Sequence, residues 1–141
     1  MLQRIQTVYF FLSILSLLLV LLVSTLHPLS GNNEALLANV FVSGNVFLMI
    51  TTIILIVSLV LNGVAISRFK QRKLQIKLAD IVAALLLISL LLLVVSVEFF
   101  QTQLSYGVGI VFPIAALIFV VLAKKGVAKD DALIRSMDRL R

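Results

Sequence analysis

The sequence predicts an all-α integral membrane protein. It should form a four-transmembrane-helix up-down bundle with both termini cytoplasmic and a short C-terminal amphipathic helix. Three observations carry this. Apolar residues fill 62% of the 141 positions and charged residues only 13%, where a soluble domain carries about 25% charged. The apolar residues gather in four runs, each near the roughly 20 residues that a bilayer-crossing helix needs. All twelve Lys and Arg fall on one side of those runs.

The four spans are expected at about 7–26, 45–66, 78–99 and 106–123 within one membrane domain, residues 1–141. Together they leave about 60 residues for links and ends, too few in one piece for a separate soluble domain. The first run is interrupted only by Ser13, Ser16, Ser24 and Thr25, whose hydroxyls can bond back to helix carbonyls. It is longer than the 7–15-residue apolar core of a signal peptide, and no A-x-A site follows, so a retained helix is expected. His27-Pro28 ends it, because proline lacks the donor and restricts its predecessor. Ser30-Gly31-Asn32-Asn33 marks a turn. Residues 34–42 space their apolar positions like a short interfacial helix. Ser43 or Asn45 is placed to cap the second span. A basic cytoplasmic loop is expected at 67–77 and a cytoplasmic tail at 124–141.

The basic residues orient the chain. Arg4 precedes the first span; Arg68, Lys70, Arg72, Lys73 and Lys77 lie between the second and third. Six more follow the fourth: Lys124, Lys125, Lys129, Arg135, Arg139 and Arg141. The other two links contain none, so the positive-inside rule puts both ends in the cytoplasm.

Composition narrows the chemistry. With no Cys and one His in the chain, disulfides, thiolate metal sites and Cys–His or inward Ser–His catalysis have no members. No phosphate loop or metal-spaced cluster is legible. No cofactor is expected, and no enzyme.

A few residues remain as candidates. Glu98 follows a long apolar run; buried, it could relay protons or bind a cation, and at the outer headgroup level it would simply end a helix. Asp80, three residues after Lys77, is placed to favour a helix N-terminus in its first turn. Ser58 and Asn62 share a face and could bond a neighbouring helix. Gly107, Gly109 and Pro113 suit close helix approach and a modest kink. In the tail, Asp130 or Asp131 could cap a helix whose Leu133, Ile134, Met137 and Leu140 form one apolar stripe. Such a short helix needs a surface to dock on.

The opening residues 1–9 (MLQRIQTVY) and the closing residues 135–141 (RSMDRLR) resemble a family of small Bacteroidota membrane proteins, domain of unknown function 4293. The resemblance implies four helices with both ends inside, in a bacterial inner membrane, and brings no activity with it. The two end motifs suggest a shared cytoplasmic site, with Arg4 near Asp138. The expected function is a non-enzymatic accessory or scaffold subunit of an inner-membrane complex. It would dock a larger partner or anionic lipid through Arg4, the basic loop, Arg135, Asp138, Arg139 and Arg141. A small transporter or channel using Glu98, Asn62, Ser58 and a kinked fourth helix is the alternative. A basic anchor for nucleic acid or ribosome is the second, and salt-steep binding would mark it. A bundle this apolar can also pack against further copies of itself.

Overall fold

A computed structural model describes residues 3–22, 26–28, 46–69, 71–98 and 104–138. Four helices dominate: α1 (Gln3–Leu22), α2 (Val46–Ser67), α3 (Arg72–Glu98) and α4 (Val111–Asp138). Each is long and apolar enough to cross a membrane. Short strands β1 (Leu26–Pro28) and β2 (Leu104–Tyr106) pair antiparallel, Leu26 opposite Tyr106 and His27 opposite Ser105. The expected interfacial helix at 34–42 lies outside the described residues.

Every helix packs on the next, and α1 packs on α4, which is the most extensive contact of the ring. Neighbours run in opposite directions. The β1–β2 pair ties the end of α1 to the approach to α4. At the opposite end of the bundle, Gln6 of α1 reaches Asp130 of α4.

Along α3 and α4 the buried positions follow a strict alternation of three and four. On α3 they are Gln75, Ala79, Val82, Leu86, Ser89, Leu93 and Ser96; the α4 series starts just before the helix at Gly109 and runs through Pro113, Ala116, Val120, Ala123, Val127 and Asp130. This 3.5-residue repeat is the seam of a left-handed bundle. Many of these residues are small or polar, while Leu22, Leu87 and Leu91 are exposed. In lipid that is the expected inversion. Leucine gains nothing by leaving hydrocarbon, and small residues let helices approach.

The buried hydroxyls are largely satisfied within their own helices. Thr51, Thr52, Ser58, Ser89 and Ser96 each donate to a carbonyl three or four residues back. Asn62 reaches across, donating its Nδ2 to Ser13 Oγ of α1 at 3.2 Å. The expected inter-helix bond on this face therefore comes from Asn62 and not from Ser58. The Asn62 Oδ1 is buried without a partner among the described residues.

Two helix starts depart from expectation. α3 begins at Arg72, so most of the expected basic loop is helical, and α2 ends at Ser67. No Gly or Pro interrupts 72–98, and Lys, Arg and Gln are good helix formers. Asp80 consequently lies in the third turn of α3, not at a helix start. Pro113 falls in the first turn of α4, after a 3₁₀ turn at Val108–Ile110. There its missing N–H costs no interior bond, so it does not kink the span.

Ser13→Ala should destabilise the protein by about 1 kcal/mol, since it strands the Asn62 amide in the seam. Adding Asn62→Leu should recover part of that loss. Reversible unfolding in mild detergent measures both.

Candidate functional site

The expected separate amphipathic helix in the tail does not form. α4 continues unbroken from its apolar part through Lys124, Lys125 and Lys129 to Asp138. Gly126 lies mid-helix, and the Lys-, Ala- and Leu-rich sequence around it sustains the helix. Asp130 is therefore interior to α4 and caps nothing. It is 9% exposed, and its Oδ2 accepts a hydrogen bond from Gln6 Nε2.

Gly126 makes this contact sterically feasible. A Cβ placed there would lie 2.8 Å from Gln6 Cγ, well inside van der Waals contact. α1 thus crosses α4 over a glycine, and one turn on, the Gln6 amide meets the Asp130 carboxylate. The first and last helices are fastened at this end by a charge-assisted hydrogen bond, a stronger class than neutral pairs.

One turn and a half further into the bundle, Lys124 of α4 pairs with Asp80 of α3. Their side chains are 40% and 52% exposed, so the pair sits on the outer surface of the seam. Such exposed pairs contribute little to stability, about 0–1 kcal/mol. Asp80 is satisfied by Lys124 across the seam rather than by a helix dipole.

Between the start of α1 and the α2–α3 corner lies a groove of about 460 Å³. Val8, Phe11, Leu12 and Phe69 form its apolar wall, with Gln6, Arg72 and Gln75 among its polar lining. Arg72 is half-buried; Arg68, Lys73 and Lys77 are exposed around it. Gln75 is 4% exposed, and its side-chain amide has no hydrogen bond among the described residues.

The expected site residues thus divide. Arg72 joins the groove; Arg68, Lys73 and Lys77 surround that end of the bundle. Asn62 and Ser58 stay in the seam. Glu98 is the last residue of α3, at the end of the bundle away from the groove, and its side chain lies outside the described residues. So do the side chains of Arg4, Arg135 and Asp138, and with them the expected Arg4–Asp138 approach. Lys70, Leu140, Arg139 and Arg141 lie outside the described residues altogether. Of the apolar stripe, Leu133 and Met137 are exposed and Ile134 is half-buried. Gln75 and Gly126 were not anticipated as site residues. Their signal was the small-and-polar repeat at three and four residues, which extends beyond the apolar runs into both basic segments.

The two interior helix glycines should respond oppositely to Ala. Gly63 has nothing within 4 Å of an added Cβ, so Gly63→Ala should gain up to about 1 kcal/mol from helix propensity. Gly126→Ala should lose about 1–3 kcal/mol, as overpacking pushes Gln6 away from Asp130. Thermal unfolding of both variants in one detergent checks the contrast.

A sequence model of one family, Domain of unknown function (DUF4293), matches residues 2–140. No curated protein and no solved structure matches the chain. The matched stretch takes in all four helices, the groove and the Gln6–Asp130 contact, and on that extent this chain belongs to the DUF4293 family.

Proposed function

We propose that the chain is a non-enzymatic accessory or scaffold subunit of a bacterial inner-membrane complex, with both termini cytoplasmic. The orientation is supported by the charge distribution. The links 27–44 and 99–106 contain no Lys or Arg, and the opposite ends contain all twelve. The scaffold role is supported most by one observation. α4 projects past its apolar part as a continuous helix and is fastened to α1 through Gln6 and Asp130. A preset basic surface of this kind can dock a partner without first ordering a loose tail, which spares the entropy cost of binding. Exposed Leu133 and Met137 supply apolar contact, and Arg135, Arg139 and Arg141 supply charge. Anionic lipid at the same surface would be attracted by about 1 kcal/mol per basic residue.

The absence of native cysteine makes the orientation directly measurable. A membrane-impermeant maleimide applied to intact spheroplasts should label Asn32→Cys and leave Lys129→Cys unlabelled until the membrane is opened. The reverse pattern would overturn the orientation. Purification in mild detergent, with a tag in the 29–45 link, should recover stoichiometric companions. Deleting 135–141 should release them. A chain that purifies alone, or companions retained after the deletion, would overturn the scaffold role.

A further inference from the structure

The groove between the start of α1 and the α2–α3 corner has a lining chemistry that the scaffold role leaves unused. We propose that it holds one anionic phospholipid of the surrounding leaflet. The phosphate would bind at Arg72 and Gln75, beside Phe69, and one acyl chain would lie along Val8, Phe11 and Leu12.

Depth is the first argument. Arg72 precedes Asp80 by eight residues on α3, about 12 Å along a helix. Asp130 follows Lys124 by six on α4, about 9 Å. The apolar stretches of α3 and α4 end near the Asp80–Lys124 pair. Headgroups occupy roughly 5–8 Å beyond the hydrocarbon on each side. Gln75, about 7.5 Å out, therefore falls in the headgroup layer; Gln6 lies at its outer edge, and Arg72 starts about 4 Å beyond it, a gap its long side chain can span. Leu12, six residues deeper than Gln6, falls at the hydrocarbon edge. The groove runs from one layer to the other, as a lipid does.

Hydrogen-bonding capacity is the second argument. Gln75 is 4% exposed and lines the groove, yet its amide is unpartnered among the described residues. Its amide opens onto the groove, where a ligand can use it. Gln6 differs, because its Nε2 is already given to Asp130. Arg72 has no ion pair among the described residues and offers five donors in a fork suited to phosphate.

Charge and size select the occupant. Among the described residues the lining contains Arg72 and no carboxylate, so an anion is favoured over a zwitterion. A volume of about 460 Å³ falls within the roughly 300–1,000 Å³ of small-molecule sites. That accommodates a phosphate and part of one chain; the second chain stays in the bilayer. Val8, Phe11 and Phe69 are all exposed, which leaves the groove open to surrounding lipid.

The proposal rests on the orientation given above and not on the scaffold role. Its test is native mass spectrometry of the full chain in mild detergent. The probes are phosphatidylglycerol and phosphatidylcholine with identical acyl chains. One phosphatidylglycerol should be retained in preference. Arg72→Gln should weaken retention about tenfold or more, the loss expected of a charge-assisted hydrogen bond. Val8→Trp should also weaken it, by filling the groove without changing charge. Arg68→Gln with Lys73→Gln should leave it within about twofold, the range of screened surface charges.

Equal retention of both lipids would overturn the proposal. So would losses shared evenly among Arg72, Arg68 and Lys73, since that signature belongs to diffuse attraction. Complete displacement by inorganic phosphate would assign the site to a soluble anion instead. A photoreactive side chain at Phe11 that captures a second copy of the chain would do the same for self-association. Lipid retained by a chain that purifies without companions would sink the scaffold role and leave this site standing. Companions without Arg72-dependent lipid would do the reverse.

Discussion

Four apolar helices in lipid have no hydrophobic reason to find one another, because hydrocarbon solvates leucine as well as a neighbouring helix does. Their arrangement depends on places where close approach and polarity coincide. The decisive one is the crossing of α1 over Gly126. Without a Cβ at that position, Gln6 can lie against α4 and give its amide to Asp130. The contact joins residues 124 apart in sequence and closes the helix ring. It also keeps a nearly buried carboxylate partnered; a buried charge left without its partner costs several kcal/mol. The position of α1 at this end then sets one wall of the groove against Arg72 and Gln75.

The rest of the seam follows the same economy of polarity. Buried hydroxyls on α2 and α3 return their hydrogen bonds to their own helices. They thus supply small, satisfied surfaces for packing. Asn62 is the exception, and its bond to Ser13 fixes the rotation of α2 against α1. The Asp80–Lys124 pair works differently. It lies on the outside of the α3–α4 seam, near the end of the apolar stretches, where two opposite charges on adjacent helices can neutralise each other at the hydrocarbon edge. Polar interactions inside the bundle orient the helices, and the exposed pair links α3 to α4 from outside.

The four helices were legible because twenty apolar residues in a row have one structural solution in a bilayer. Their inner ends were not, because hydropathy reports where lipid ends and not where a helix ends. Arg72, Lys73 and Lys77 look like a loop on a hydropathy scale, yet they are good helix formers with no breaker among them. The same confusion set Asp80 at a helix start and made a separate tail helix of what is the last third of α4. Pro113 shows the converse. Read as the middle of a span, it suggests a kink; one turn from the true start, it is unremarkable. Asn62 was legible as a helix-bonding residue because a lone carboxamide among aliphatic neighbours has few alternatives. Gln6, Gly126 and Asp130 were separately visible and not visibly connected. Nothing local in the sequence states which two helices of a four-helix ring will meet.

A site that takes a ligand needs hydrogen-bonding capacity that the fold has not consumed. By that criterion the two ends of the inner seam differ from its middle. The hydroxyls of Thr51, Thr52, Ser58, Ser89 and Ser96 are committed to backbone carbonyls, and Gln6 is committed to Asp130. Asn62 retains one unused acceptor, enclosed by the bundle and without a positive neighbour among the described residues. Gln75 retains a whole amide, and it faces a groove with Arg72 beside it. The unspent capacity therefore collects where the basic residues already are, at the edge of the hydrocarbon. Among the described residues, the bundle interior leaves one acceptor unpaired, on Asn62, while the groove at the basic end offers Arg72 and the Gln75 amide together.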